Sequence, residues 1–418
     1  MATSKKKTPS CAEQAHDHSH CAHGHDHDHD HDHGAHACCQ HSHAADPAPA
    51  QHPAHSDGCC GHDHSHAHHA HDHHAHGEHC CHGHAHAHDH HHHDHEHEHQ
   101  DGCCGHDHSH GPKHIYVYSP SGAVRDKAAF KRAVKRLEGM GHQVEIDSDA
   151  LSSHLRFAGD DATRMAAIHR AAASGADVAL ISRGGYGLTR ILPGINYQAV
   201  AKAVEQGTHF VGLSDFTAFQ NALLAQTGAI SWAGPALLAD FGQKEGVDDI
   251  MLDCFEDLIY GHGEGAGWRM PKQPAGAVPD DFYIDGGATL WGSNLAVLTS
   301  LLGTPYFPQV QGGILFLEDV GEHPYQIERM LTQLLHAGVL AQQKAIVLGQ
   351  FTAFKLTAHD KGFKLQSVID WLRTQLSIPV LQGLPYGHVE TKVLLPVGAP
   401  VSLSIEGRDA LIYWGHTR

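Results

Sequence analysis

The composition of this 418-residue chain, which has a formal net charge of −19 with neutral histidine, excludes several classes of protein. No basic patch suggests nucleic acid as a partner, and no stretch approaches the roughly 18 consecutive apolar residues of a membrane span. The beginning, MATSKKKTPSCAEQ, has a positive cluster without a following apolar run, which argues against a secretory signal peptide. We therefore expect a cytoplasmic protein with reduced cysteines.

Residues 1–113 differ sharply in composition from the rest of the chain. They hold 38 of the 49 histidines and 10 of the 11 cysteines, and their 17 acidic residues outnumber 4 lysines. They contain almost no large apolar side chains, so burial cannot offset the entropy of ordering, and we predict a disordered tail. The remaining 305 residues, with 24 basic and 30 acidic side chains, have ordinary globular composition and enough length for two domains.

The tail is a degenerate repeat. Cysteine doublets begin at positions 38, 59, 80 and 103, and the decapeptide DGCCGHDHSH occurs at residues 57–66 and again at 101–110. Thiolates and imidazoles suit zinc, nickel, cobalt or copper, so we expect the tail to bind metal ions. The candidate ligands in the two decapeptides are Cys59, Cys60, His62, His64, Cys103, Cys104, His106 and His108. The spacing is not that of a structural zinc module, and a low-complexity expansion that only solubilises the chain is the alternative.

Residues 114–238 alternate short apolar segments with helical patterns. Strands are predicted at 114–118, 143–146, 177–182 and 209–213, and helices at 127–140, 160–174, 197–206 and from 216 onward. This alternation predicts an α/β domain with a parallel sheet flanked by helices, of Rossmann or flavodoxin type. Active sites in such sheets lie at the carboxyl ends of the strands.

The pattern loosens after residue 238. Residues 239–290 are rich in Gly, Pro and Asp and are interpreted as a linker with one short helix near 248–260. The pattern of residues 291–418 predicts a smaller α/β domain that is rich in β-structure. Its helices are predicted at 292–302, 324–337 and 365–376, and its strands at 313–317, 344–348, 392–395 and 400–405.

Two glycine-rich turns follow predicted strands of the first domain. The segment Ser182–Gly187 reads SRGGYG, and its exposed backbone N–H groups suit an anion or an oxyanion. The same sequence is also typical of a tight turn in which glycine adopts a positive φ. The segment Gly212–Asp215 reads GLSD and places Ser214 where a strand meets a helix. That is the position of a nucleophile elbow, and it is also the position of a helix N-cap.

A serine nucleophile needs a base and a group that orients the base. His388 lies in GLPYGHVE, where one proline and two glycines precede it and fix a loop. Three acids, Glu318, Asp319 and Glu322, lie in FLEDVGE, and Glu318 directly follows an apolar run. An acid at a strand end can equally be a cap or a salt-bridge partner.

Four motifs, taken together, closely resemble the LD-carboxypeptidase family. They are RGGYG at 183–187 with Arg190, GLSD at 212–215, FLEDVGE at 316–322 with Tyr325 and Arg329, and GHVE at 387–390. The family includes the cytoplasmic murein tetrapeptide carboxypeptidases and the microcin C self-immunity peptidases. The resemblance extends from about His114 to Trp414, and the tail has no counterpart in it.

The resemblance implies a set of roles at a site between the two domains. Ser214 would be the nucleophile, His388 its base and Glu318 the acid that orients the base. The backbone N–H groups of Gly185 and Asp215 would form the oxyanion hole. No cofactor is implied for catalysis.

The implied substrate is a muropeptide tetrapeptide, whose L,D amide bond before the terminal D-alanine would be hydrolysed. Arg183 and Arg190 are candidates for binding the terminal carboxylate, and a homodimer is implied as well. Three other interpretations stay open: a peptidase of the microcin immunity type, a metal-storage protein whose peptidase body is secondary, and a metallopeptidase. The last is disfavoured because the body contains no H-E-x-x-H motif.

Overall fold

The computed structural model describes residues 111–416. The first half of this range confirms the predicted α/β alternation. Its elements are β1 (His114–Tyr118), α1 (Lys127–Gly139), β2 (Gln143–Ile146), α2 (Asp161–Ala173), β3 (Val178–Ile181), α3 (Leu188–Ile191), α4 (Tyr197–Glu205), β4 (His209–Gly212), α5 (Thr217–Thr227) and β5 (Ser231–Ala233).

Three helices of this half, α1, α2 and α4, begin at side chains that the sequence supplies for capping. Asp126, Asp160 and Asn196 each accept a hydrogen bond from the backbone N–H three residues later, which satisfies one of the unpaired donors at a helix start. Between the helices, the strands pair in parallel in the order β2-β1-β3-β4-β5. The carboxyl ends of β3 and β4, where the two glycine-rich turns begin, are therefore adjacent.

Residues 239–290, interpreted from sequence as a linker, contain more regular structure than expected. A π-helical turn, Leu237–Phe241, is followed by α6 (Asp249–Tyr260), which confirms the predicted short helix. Two strands come next, β6 (Gly265–Arg269) and β7 (Asp281–Asn294). The exposed positions of β6 are Gly265, Gly267 and Arg269, and Gly286 and Gly287 interrupt β7, so neither strand gives a continuous apolar run in the sequence.

The second half of the described range forms another sheet. After β7 come α7 (Leu295–Ser300), β8 (Ile314–Val320), α8 (Pro324–His336), β9 (Ala345–Thr352), α9 (Leu365–Gln375), β10 (Val380–Gln382), β11 (Leu395–Val397), β12 (Pro400–Glu406) and β13 (Asp409–Tyr413). Seven strands are ordered β10-β9-β8-β7-β12-β13-β6. The first four are mutually parallel and the last four are joined by antiparallel pairings.

Two local predictions in this half are wrong. Residues 292–294, predicted as the start of a helix, are the end of β7, and α7 begins only after its N-cap, Asn294. The strand predicted at 392–395 is β11, at Leu395–Val397, and it pairs antiparallel with β5 of the first sheet. The chain therefore returns to the first sheet immediately after the loop that carries His388. Within residues 111–416, no helix is both long enough and apolar enough to cross a membrane.

Candidate active site

Ser214 occupies a strained turn between β4 and α5. Its φ is +68°, a left-handed conformation that is costly for a residue with a side chain and that persists mainly at functional sites. The short 3-10 turn and the helix that follow have Leu213 and Phe216 at their N-caps, and neither start receives a side-chain hydrogen bond. The N-cap interpretation of Ser214 is therefore wrong, and the geometry is that of a nucleophile elbow.

The glycines after β3 lie against Ser214. A Cβ atom at Gly184 would come within 2.7 Å of the Ser214 hydroxyl oxygen, so only glycine allows this approach. Gly185 has a φ of +129°, and a Cβ there would lie 3.2 Å from the Cα of Gly122. The turn thus needs glycine for its conformation, and it also brings exposed backbone next to the serine.

His388 is paired with a fully buried carboxylate. Its Nδ1 lies 2.9 Å from Oε2 of Glu318, whose side chain is 0% exposed, while the His388 side chain is 24% exposed. An ionised carboxylate can only accept, so in this pairing Nδ1 is the donor and the neutral imidazole has Nε2 as its unprotonated nitrogen. Gly387, at φ +134°, keeps this loop close to the acid, because a Cβ there would lie 3.0 Å from Glu318 Oε2.

Of the three candidate acids, Glu318 is the one that contacts the histidine. Asp319 instead accepts hydrogen bonds from the backbone N–H groups of Ala296 (2.8 Å) and Val320 (2.8 Å) and from Asn294 (3.0 Å). Burial raises the pKa of Asp319 to about 6, and the neighbouring Glu318 acts in the same direction. Asp319 therefore organises the start of α7.

Asn294 is a site residue that the sequence did not single out. Its Nδ2 donates to Oε1 of Glu318 at 3.0 Å, and its backbone N–H donates to the hydroxyl of Thr217 at 3.1 Å. Thr217 is the first residue of α5, three positions after Ser214. This network connects Thr217 at the start of α5 with the acid and, through the acid, with the histidine. A polar residue before an apolar helix signals an N-cap, and that signal marks the position of Asn294 but not its bond to Glu318.

Asp215, whose backbone N–H is an oxyanion-hole candidate, has a buried carboxylate. Its Oδ2 accepts from the Ser121 hydroxyl at 2.7 Å and from the backbone N–H of Leu188 at 3.0 Å. Burial raises its pKa above the ordinary value. The side chain thereby fastens the turn before α1 and the glycine-rich turn to the residue that follows Ser214.

A cavity of about 750 Å³ joins these parts. Its walls include Arg125, Arg183, Gly184, Gly185, Ser214, Asp240, Glu245, His388, Glu390 and Lys392. The serine, the histidine and the glycine-rich turn therefore share one space. The wall also holds the buried ion pair of Lys392 with Asp240.

The structure separates the two arginines proposed for substrate binding. Arg183 lies in the cavity wall. Arg190 is not among the lining residues; it pairs with Asp161 at 2.9 Å and lies over the ring of Phe157. The eight tail residues proposed as metal ligands lie outside the described residues. Within residues 111–416, no group of three or more His, Cys, Asp or Glu side chains is arranged to hold a metal ion.

Comparison with known proteins gives consistent matches. Sequence models of the LD-carboxypeptidase N-terminal and C-terminal domains match residues 115–234 and 287–403. The muramoyltetrapeptide carboxypeptidase of Oxalobacter formigenes shares 38% identity, with a TM-score of 0.64 over 72% of this chain and 98% of that one.

Two curated relatives point in the same direction. The probable murein peptide carboxypeptidase of Bacillus subtilis is 29% identical over 298 residues, which is 69% of this chain and 88% of that protein. The microcin C7 self-immunity protein of Escherichia coli is 27% identical over 250 residues, which is 55% of this chain and 71% of that protein.

Proposed function

Because this chain belongs to the LD-carboxypeptidase family, we propose that it is a serine carboxypeptidase acting on muropeptide tetrapeptides. The bond hydrolysed is the L,D amide before the terminal D-alanine, and the setting is peptidoglycan recycling in the cytoplasm. The observation that carries the proposal is that Ser214, in its strained turn, and His388, which pairs with the buried Glu318, line one cavity.

The nucleophile is activated by proton transfer. With Nδ1 held by Glu318, the Nε2 atom of His388 takes the proton of the Ser214 hydroxyl as the oxygen attacks the scissile carbonyl. Glu318 then stabilises the imidazolium that forms. The bond from Asn294 keeps the carboxylate oriented without neutralising it, since an amide donor carries no net charge.

The carbonyl oxygen becomes negative in the tetrahedral intermediate. Backbone N–H groups of Gly185 and Asp215 receive it, and loss of one such donor typically lowers the rate by about 10²–10³-fold. The imidazolium next protonates the leaving amine, which departs as free D-alanine. Water, deprotonated by His388, then hydrolyses the ester on Ser214 and restores the enzyme.

The murein substrate is favoured over the substrate of the microcin immunity branch. In alignments of solved structures over similar shares of this chain, the 38% identity to a muramoyltetrapeptide carboxypeptidase exceeds the 22% identity to the microcin C7 self-immunity protein. An amide or acyl-nucleotide substrate of the second kind is the alternative, and it would use the same serine, histidine and acid.

The tail has a separate proposed role in metal storage or buffering. Its thiols and imidazoles would bind zinc, nickel, cobalt or copper, and catalysis would proceed without a metal, through the Ser214 hydroxyl. A homodimer, implied by the family resemblance, stays a prediction.

The proposed activity is tested by incubating the full chain with purified muropeptide tetrapeptide and measuring the products by mass spectrometry. We expect loss of one alanine. Ser214→Ala should abolish the release, and Ser300→Ala, at an exposed position outside the cavity wall, serves as the matched control.

Retained turnover by Ser214→Ala would rule out the nucleophile. A parallel incubation with an aminoacyl nucleotide separates the two substrate classes. Cleavage of the nucleotide without cleavage of the tetrapeptide would favour the microcin immunity type.

A further inference from the structure

Arg183 lies beside the proposed oxyanion hole. Its guanidinium is folded over the glycines: a Cβ at Gly122 would lie 3.5 Å from Cζ, and one at Gly185 would lie 3.9 Å from Nη2. Nη1 donates to the backbone oxygen of Ala123 at 3.1 Å. A guanidinium has five N–H donors, so most of its capacity is unused within the described part of the chain.

Within the described part of the chain, this guanidinium has positive neighbours and no acidic ion-pair partner. Arg125 lines the same cavity, and burial, followed by the charges of Arg125 and Arg156, lowers the pKa of Arg183 below its ordinary value. Among residues 111–416, none of the carboxylates forms an ion pair with any of these three arginines.

The acidic residues that line the same cavity do not neutralise the positive charge around Arg183. Asp126, next to Arg125, is held at the N-cap of α1 by the backbone N–H of Ala129. Asp240 is paired with Lys392. Glu245 and Glu390 line the cavity but make no ion pair to either arginine. Like charges held together without a counter-ion form a site whose free energy falls when an anion binds.

We propose that Arg125 and Arg183 together bind the terminal carboxylate of the residue that leaves, and so restrict the Ser214 centre to the last peptide bond of a chain. This rests on the proposed function. The carboxyl carbon of a leaving residue lies only about 2.5 Å from the scissile nitrogen, given the lengths of the two intervening bonds. Arg183, directly against the oxyanion turn, is placed for that group, and a planar guanidinium matches a carboxylate in two-point geometry.

The assignment differs from the sequence-based one in its second arginine. Arg190 is engaged with Asp161, whereas Arg125 is exposed and lines the cavity. An enzyme built this way discriminates against substrates whose terminal group is blocked, because the two charges would then remain uncompensated.

The test compares the tetrapeptide with its C-terminal amide, in which the last residue is D-alaninamide. We expect the wild-type enzyme to hydrolyse the acid at least 10²-fold more efficiently than the amide, measured as kcat/KM. Arg125→Gln should raise KM for the acid about tenfold and change the KM for the amide much less, so the preference for the acid shrinks. Arg156→Gln is the matched control, because it removes an equal charge from outside the cavity wall.

Each outcome is decisive. Equal hydrolysis of acid and amide by the wild-type enzyme would overturn the clamp and leave the proposed function standing. Hydrolysis of neither would overturn both. An equal rise in KM for Arg125→Gln and Arg156→Gln would show a general field effect and overturn the direct contact. Arg125 is exposed, so its substitution should not disturb folding.

Discussion

At the scale of single residues, Glu318 and Asp319 show how two adjacent acids take different partners. Neighbouring side chains on a strand normally point to opposite faces. Here the pairing of β8 with β9 shifts register between Leu317 and Asp319, and such irregularities re-aim side chains next to active sites. Both carboxylates therefore reach the same amide of Asn294, while only Glu318 also reaches His388.

The role of Glu318 can be tested by removing its charge while keeping its shape. Glu318→Gln should lower kcat by about 10³–10⁴-fold, because a neutral amide neither fixes the tautomer of His388 nor stabilises the imidazolium. The measurement is D-alanine release at saturating tetrapeptide.

Glu322→Gln provides the matched control for that substitution. It changes an acid of the same FLEDVGE motif that neither contacts His388 nor lines the cavity. A comparable loss in both variants would mean that the whole segment, and not the carboxylate of Glu318, supports catalysis.

The sequence alone predicts part of the proposed site. Each local pattern is ambiguous by itself: a serine after a strand resembles a cap, and an acid at a strand end resembles a salt-bridge partner. Only the combination of four motifs selects Ser214, Glu318 and His388. Asn294, Arg125 and Lys392 could not be predicted, because their roles depend on contacts between segments far apart in the chain.

At the scale of elements, the loop before β11 is fastened to the π-helical turn at Leu237–Phe241. Lys392 and Asp240 form an ion pair in which both side chains are almost fully buried, 2% and 3% exposed. Asp240 also accepts the backbone N–H of Ala236 at 2.7 Å. Burial raises the pKa of Asp240, and the Lys392 ammonium opposes that shift. The pair thus ties the His388 loop to the π-helical turn that follows β5.

Breaking this pair from one side should be more damaging than replacing both partners. Lys392→Met leaves a buried carboxylate without a counter-ion, and we expect it to lower the free energy of unfolding by about 3–5 kcal/mol. The double variant Asp240→Asn with Lys392→Met should be closer to the wild type, since asparagine can still accept from Ala236 and no charge remains buried. Urea unfolding of the two single variants and the double variant measures this. Strictly additive losses would contradict the coupling.

Sequence patterns identified most of the elements and missed those with weak apolar signals. β1 to β4 and the longer helices have apolar runs or helical spacing. β5, with three residues, and β6, which reads GAGWR, do not. The antiparallel pairing of β11 with β5 has no local signal at all, because it joins residues more than 150 positions apart.

At the scale of the whole molecule, the body and the tail have chemistry of different kinds. Residues 111–416 contain the serine, the histidine and the acid of the proposed hydrolytic centre, and no candidate metal cluster lies among these described residues. The tail supplies 10 of the 11 cysteines and most of the histidines, and these ligands suit soft and borderline metal ions. The two activities should therefore be separable.

Deleting residues 1–112 should leave kcat and KM for the tetrapeptide nearly unchanged and remove most of the zinc or nickel that the full chain binds. The reason is that the proposed chemistry uses only groups of the body, and that thiols and imidazoles are concentrated in the deleted part.

Equilibrium dialysis against each metal and D-alanine release measure the two properties on the same preparations. A full-length variant with its ten tail cysteines changed to serine is the intermediate control. It separates the metal bound by thiolates from the metal bound by imidazoles. The full-length enzyme should also retain its activity in chelator. Loss of hydrolysis on truncation would show that the tail takes part in catalysis, and undiminished metal binding would place the ligands in the body.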